Sequence, residues 1–207
     1  MNHDLKTSLN VSADDYRDKI LSLRERATIK NAWLKKRLET ILPEIMRREG
    51  FDMWIVIARE YNEDPVMMSL LPEPMMNARR RTILVFNLRE DGMLEKLMLI
   101  RYPATLYEGV WDPDKEGQYE CLARIVRDKA PKTIVINISE TFGFGDGLTH
   151  SEYLLLEKTL GKEYIGRAKG AERLAVGWLE KRLPEEIEVY PSLVEITHAI
   201  IAEAFST

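Results

Sequence analysis

Cysteine is close to absent from this chain: Cys121 is the only one among 207 residues. No disulfide can form within the chain, and nothing calls for an oxidising compartment. An excess of basic charge is missing as well. The formal net charge is −4, which argues against a nucleic-acid-binding surface, since such surfaces normally show a basic stripe or patch. No apolar run approaches the length of a membrane span. The opening MNHDLKTSLNVSADDYRDK lacks the apolar core of a signal peptide. These absences predict a soluble, cytoplasmic protein that binds neither nucleic acid nor membrane. Catalytic signatures are scarce too: there is no Ser/His/Asp pattern, no cysteine paired with a histidine and no Cys/His metal spacing. Internal repeats and low-complexity tracts are likewise missing.

What is present is a core-forming composition, 45% hydrophobic, with the 31% of charged residues spread along the chain. The length accommodates one large domain, or one domain and the start of another. Residues 1–15 have little periodicity and predict a loose tail. Residues 16–49 turn helical, with Leu21, Trp33, Leu38, Ile41, Leu42 and Ile45 among basic residues, and Gly50 ends the run. Pro43 inside that run predicts a kink or a break near Glu39. Residues 53–58, Met-Trp-Ile-Val-Ile-Ala, form a short continuous apolar run, the signature of a strand buried on both faces. Residues 59–78 hold three prolines and predict a loop with one short helical turn.

Residues 82–88 and 94–101 are β-rich and flank Asp91-Gly92, a hairpin signal. A long loop carrying Tyr107 and Trp111 follows. Residues 118–130 are amphipathic and helical, closed by Pro131, and residues 133–138 read as another buried strand. Helices are expected from Thr149 or Ser151 through Leu160, ended by Gly161, and over residues 171–183. A short edge strand is expected at residues 162–166. Strands alternating with helices, plus one hairpin, predict an α/β fold: a mixed sheet with helices on both sides.

The last stretch, residues 182–207, has the start signals of a helix. Pro184 suits the first turn, and Glu185 and Glu186 sit beside the positive end of the helix dipole. Ile187, Tyr190, Val194, Ile201 and Phe205 recur near the helical period and predict one buried stripe. No Gly, Asn or basic residue closes the last turn. A packing helix without a closing signal predicts that its partner lies beyond Thr207, in a longer protein.

Four constellations bear on chemistry. Gly143-x-Gly145-x-Gly147 follows a strand and precedes a helix, where a phosphate loop would sit, but the spacing is not that of a nucleotide fingerprint. A tight turn is the simpler reading. Glu195 and His198 have the Glu-x-x-His spacing of a di-iron ligand pair. Such sites need a second motif and further glutamates, so His198 reads as an ordinary helix residue. Arg79, Arg80 and Arg81 precede a strand; their guanidinium forks suit a carboxylate or phosphate, against the alternative of a solvated edge. Trp111 lies in a polar loop, either as a binding anchor or folded back over the sheet.

The second half of the chain resembles a known order of motifs. Asp146-Gly-Leu-Thr-His-Ser-Glu-Tyr153, a Leu-rich helix, then Trp178-Leu-Glu-Lys-Arg-Leu-Pro-Glu-Glu-Ile-Glu188 are similar to the end of the N-terminal domain in creatinase, prolidase and aminopeptidase P-like proteins. These are the "pita-bread" (M24) metallopeptidases. Lys181 or Arg182, with Glu186 and Ile187, matches the family's helix start that opens the catalytic domain. The first half fits by element order. Pro191 departs from the pattern, since the family's helix normally runs on there, and predicts a kink near Ile187.

The resemblance implies a three-layer α/β/α sandwich with a mixed sheet of ribonuclease-H type over residues 16–183. Residues 184–207 would then be the first helix leading into a C-terminal catalytic domain. It implies that this chain holds no catalytic or metal-ligating residue and is inactive alone. Two divalent metal ions, such as Mn or Co, would be held by two Asp, one His and two Glu of that further domain, where they activate water and polarise the carbonyl next to proline. The implied role is dimerisation, as a homodimer, and shaping of the active-site entrance through which peptide substrate reaches an Xaa-Pro peptidase site. Arg79, Arg80, Arg81 and Trp111 are the candidates for that wall, and Glu186, Ile187 and Tyr190 for the domain-junction helix. The competing expectations are a free-standing α/β binding or assembly domain without hydrolase activity, and a small-molecule enzyme using residues 143–147 on phosphate.

Overall fold

The computed structural model describes Tyr16 and residues 20–205; the tail expected at residues 1–15 lies outside them. The chain divides into two compact units. One is Leu34–Lys181, and the other comprises Met1–Trp33 and Arg182–Thr207.

The larger unit is built on a six-stranded mixed sheet. The first strand, β1 (Met53–Arg59), is apolar throughout except at its last residue and buried on both faces. The hairpin expected around Asp91-Gly92 joins β2 (Arg81–Leu88) to β3 (Leu94–Leu99). Gly92 takes a φ of 84° there, a left-handed turn position that glycine fills without a Cβ clash. A two-residue strand, β4 (Glu108–Gly109), lies in the long loop; β5 is Ile134–Ile136 and β6 is Ala168–Gly170. The order across the sheet is β4-β3-β2-β1-β5-β6. β2 runs antiparallel to β1 and β3, while the pairs β1–β5, β5–β6 and β3–β4 are parallel. Among the described strands of this sheet, β2 alone therefore points against the rest.

Helices cover both faces. The strands alternate their side chains between two apolar surfaces. Met53, Ile55 and Ile57 of β1 pack in one cluster with Cys121, Leu122, Ile125 and Val126 of α3 (Gln118–Lys129) and with Leu156 and Leu160 of α4 (His150–Ile165). The opposite face carries Trp54, which stacks with Phe86, which in turn meets Tyr107 edge-on. The Tyr107 hydroxyl donates to the carbonyl of Leu70 in α2 (Pro65–Leu70) at 2.6 Å. Ser69 of α2 accepts from Trp178 Nε1 at 2.7 Å, joining α2 to α5 (Glu172–Glu180). Arg37 of α1 (Leu23–Glu49) donates to the carbonyl of Lys181 at 2.6 Å and lies over the Trp178 ring.

Two sequence expectations are corrected. The helix α1 starts at Leu23 under a Ser22–Glu25 capping box and runs without a break through Pro43, which is buried with Ile41, Leu42, Ile45 and Met46. Proline costs one backbone bond there, and the apolar contacts on the same face hold the helix together. The edge strand expected at residues 162–166 is instead the end of α4: Gly161 (φ 71°) interrupts the helix, which resumes to Ile165, and the edge strand is β6. The last helix, α6 (Pro184–Ala204), carries Pro191 within it.

The smaller unit contains the first turns of α1 and the whole of α6. Glu186 Oε2 accepts from the Leu183 backbone N–H at 2.6 Å and caps the helix start. The stripe expected to be buried is exposed. Ile187, Tyr190, Val194, Ile201 and Phe205 all face solvent, Phe205 being 84% accessible, and Ala199 is the buried residue of this helix.

Candidate functional site

Three arginines come level at one edge of the sheet because of strand register. Arg59 ends β1 and pairs with Arg81, which begins β2. Ile83 of β2 pairs with Leu99 of β3, so Arg81 and Arg101 each lie two residues beyond that pair. This edge is the carboxyl end of β1 and β3, where open α/β sheets place their ligands.

Below it sits Glu152, in the first turn of α4 and 1% exposed. Its Oε1 accepts from Arg59 Nε, and Arg81 Nη2 lies 3.1 Å from the same oxygen. Arg81 Nε is 2.8 Å from Oε2, which also accepts from the Tyr119 hydroxyl at 2.6 Å. The Arg81 guanidinium lies over the Tyr119 ring, 5.1 Å from its centre. Burial pushes the Glu152 carboxyl up, but the bonds from Tyr119, Arg81 and Arg59 outweigh it and hold the group below the ordinary carboxylate range. Burial, reinforced by the Glu152 charge, pushes the Tyr119 phenol upward. A carboxylate that stays ionised under two guanidiniums fixes where both point.

Above this anchor lies an open cavity of about 880 Å³, lined by Arg79, Arg80, Arg81, Arg101, Tyr102 and Trp111 among others. The arginine triplet and Trp111, flagged separately in the sequence, thus share one site. Trp111 is folded back: it packs against the core cluster, and its Nε1 donates to the Glu116 carbonyl at 2.8 Å. Its indole N–H is therefore committed, and the ring is what it offers to the cavity. Arg101 pairs with Asp114 at 3.1 Å, both well exposed, a contact worth little on its own. Arg80 has a φ of 45°, a conformation a non-glycine residue adopts at some cost. Its backbone N–H donates to Glu60 Oε2 at 3.4 Å. Gln118 ties the site's floor together, donating to the carbonyls of Leu99 at 2.6 Å and Arg81 at 3.1 Å.

The other candidates fall elsewhere. Gly143–Gly145 forms a short 3-10 turn, and a Cβ on Gly147 would lie 2.0 Å from Asp64 Oδ2. Asp64 caps α2, accepting from the Met67 N–H at 2.6 Å, and accepts from Asn137 Nδ2 at 2.8 Å; Asn137 in turn accepts from Trp54 Nε1 at 2.8 Å. Gly147 lets this turn approach a buried polar network, and a Cβ on Gly145 would lie 3.0 Å from the Ala175 side chain, whereas Gly143 has open space around it. Glu195 and His198 are exposed on α6. Among the described residues no group of three or more His, Cys, Asp or Glu is placed to hold a metal. Glu186, Ile187 and Tyr190 lie on α6, in the smaller unit, where Arg182 Nε donates to the Tyr190 hydroxyl at 2.9 Å.

Arg59, Arg101 and Glu152 are site residues that the sequence does not single out. For Arg59 and Arg101 the signal was the register of two strand pairs, of which the hairpin sets only β2–β3. Among the described residues no helix is long and apolar enough to cross a membrane. No family model, no curated protein and no solved structure matches this chain.

Proposed function

We propose that this chain is the non-catalytic N-terminal domain of a creatinase/prolidase/aminopeptidase P-like dimetal hydrolase, and that its arginine–tryptophan cavity walls the mouth of an Xaa-Pro peptidase site. The observation that carries the reading is the convergence of Arg79, Arg80, Arg81 and Trp111 on one cavity at the carboxyl edge of the sheet. The strand order β3-β2-β1-β5-β6 with β2 alone reversed accords with the ribonuclease-H-type sandwich that the motif resemblance implies, and so supports it. In this reading α6 leads into a catalytic domain holding two divalent metals, and the protein works as a cytoplasmic homodimer. The alternative, a free-standing assembly domain of the same fold, draws on the exposed apolar face of α6.

The test is the reading frame beyond codon 207. A domain-length continuation carrying two Asp, one His and two Glu in that order supports the dimetal parent, and a stop codon at once overturns it in favour of the assembly domain. The purified chain is expected to show no hydrolysis of Xaa-Pro peptides with added Mn²⁺ or Co²⁺. Metal-dependent turnover by the chain itself would refute the non-catalytic role.

A further inference from the structure

The same cavity carries more chemistry than an entrance wall requires. Arg81 is held by Glu152 and Arg101 by Asp114. Arg79 and Arg80 are exposed, and among the described residues no carboxylate pairs with either guanidinium; their contacts are made by backbone N–H groups, to Thr82 Oγ1 at 3.0 Å and to Glu60 Oε2 at 3.4 Å. Glu152 pairs with Arg59 and Arg81, and Asp114 with Arg101, so of the five arginines at this edge the guanidiniums of Arg79 and Arg80 are the two outside these ion pairs, with Glu60 lining the same cavity. Beside them is an apolar wall of Met75, Ile100, Pro113 and the Trp111 ring. Arg80 is held at its unusual φ, between Glu60 and Arg81, rather than relaxed into an ordinary loop conformation.

We infer that this cavity binds a small organic dianion, a phosphate monoester whose apolar or aromatic body lies on the Trp111 side while its oxygens meet Arg79 and Arg80. One guanidinium fork satisfies one carboxylate. Two unpaired forks match a group with about two negative charges and three acceptor oxygens. The committed indole N–H leaves Trp111 to stack rather than to donate. This goes beyond the family reading and does not depend on it: ligand binding by the chain and the content of the downstream reading frame can fail separately.

The test is calorimetry of the full chain in low-salt buffer with phenyl phosphate, inorganic phosphate and phenol. Phenyl phosphate is expected to bind at least about threefold tighter than inorganic phosphate, the increment of one aromatic contact, and phenol to give no heat. The double variant Arg79→Gln/Arg80→Asn, which removes two exposed charges and puts at position 80 a residue tolerant of positive φ, is expected to weaken phenyl phosphate at least about tenfold. Removing two charges elsewhere, by Arg127→Gln/Lys132→Gln, is expected to leave the affinity unchanged. Absence of phenyl phosphate binding overturns the inference, and so does binding that the first double variant leaves intact or that the second weakens equally. Equal affinity for inorganic and phenyl phosphate overturns the organic-ligand part.

Discussion

Glu152 is a carboxylate placed where burial alone would neutralise it, and three donors keep it charged. Because its folded-state pKa lies below the unfolded value of about 4.3, its stabilisation is fully present above that pH and is lost as pH falls through the folded pKa. Glu152→Gln is expected to cost about 2–4 kcal/mol at pH 7 by urea denaturation, less than a fully buried pair because Arg59 is half-exposed. The gap between variant and parent should close as pH drops below about 4. A gap that stays constant with pH would show that the carboxylate charge is not what holds the arginines. Asp64 works the opposite way. Burial pushes its carboxyl up, and bonds from Met67 and Asn137 only partly offset this. Its penalty is present above the folded pKa and is relieved in acid, so the two groups tilt the acid limb in opposite directions. Cys121 is pushed up to about 12 by burial and by the neighbouring Glu116. It is expected to resist iodoacetamide at pH 8 in the folded protein and to label fully in urea; rapid native labelling seen by mass spectrometry would contradict its placement.

At the scale of elements, the turn at residues 143–147 separates a structural glycine from an incidental one. Gly143 has open space where a Cβ would go, whereas Gly147 has Asp64 at 2.0 Å. Gly143→Ala is expected to leave the melting temperature within about 2 °C of the parent, while Gly147→Ala loses several degrees, corresponding to about 1–3 kcal/mol of overpacking. If instead Gly143→Ala were the damaging change, the turn would be serving something other than this packing. Much of the element order was legible because long apolar runs carry their own signal. Residues 53–58, 82–87 and 134–136 are buried on both faces, and the Asp91-Gly92 pair forces the hairpin between β2 and β3. The sheet edges were not legible. β4 has two residues, both exposed, and the four residues after Gly161 are too few to show whether their period is helical or extended. The break expected at Pro43 failed for a related reason: propensity reports a local cost, and the packed face of α1 outweighs it there.

For the whole molecule, composition bounded the expectations, but the site depended on contacts between distant positions. Arg79, Arg80, Arg81 and Trp111 each stood out as residues, yet nothing in their spacing showed that they share a cavity with Arg101, or that Glu152 holds Arg81 together with Arg59. The helix α6 poses the converse case, since its stripe was legible and its burial was not. Periodicity identifies a face that favours burial, and the burial itself takes a partner. With Ile187, Val194, Ile201 and Phe205 about half or more exposed, the face offers a contiguous apolar patch larger than isolated surface residues make. The chain alone is therefore expected to self-associate, its weight-average mass in sedimentation rising over roughly a hundredfold range of concentration. Val194→Glu with Ile201→Lys should suppress that rise while leaving the far-ultraviolet circular dichroism unchanged, because both positions are exposed helix. If the parent stays monomeric across the range, the stripe is tolerated as surface and the homodimer loses its support from α6. If association persists in the variant, it runs through a different surface, and the edge strands β4 and β6 become the elements to examine.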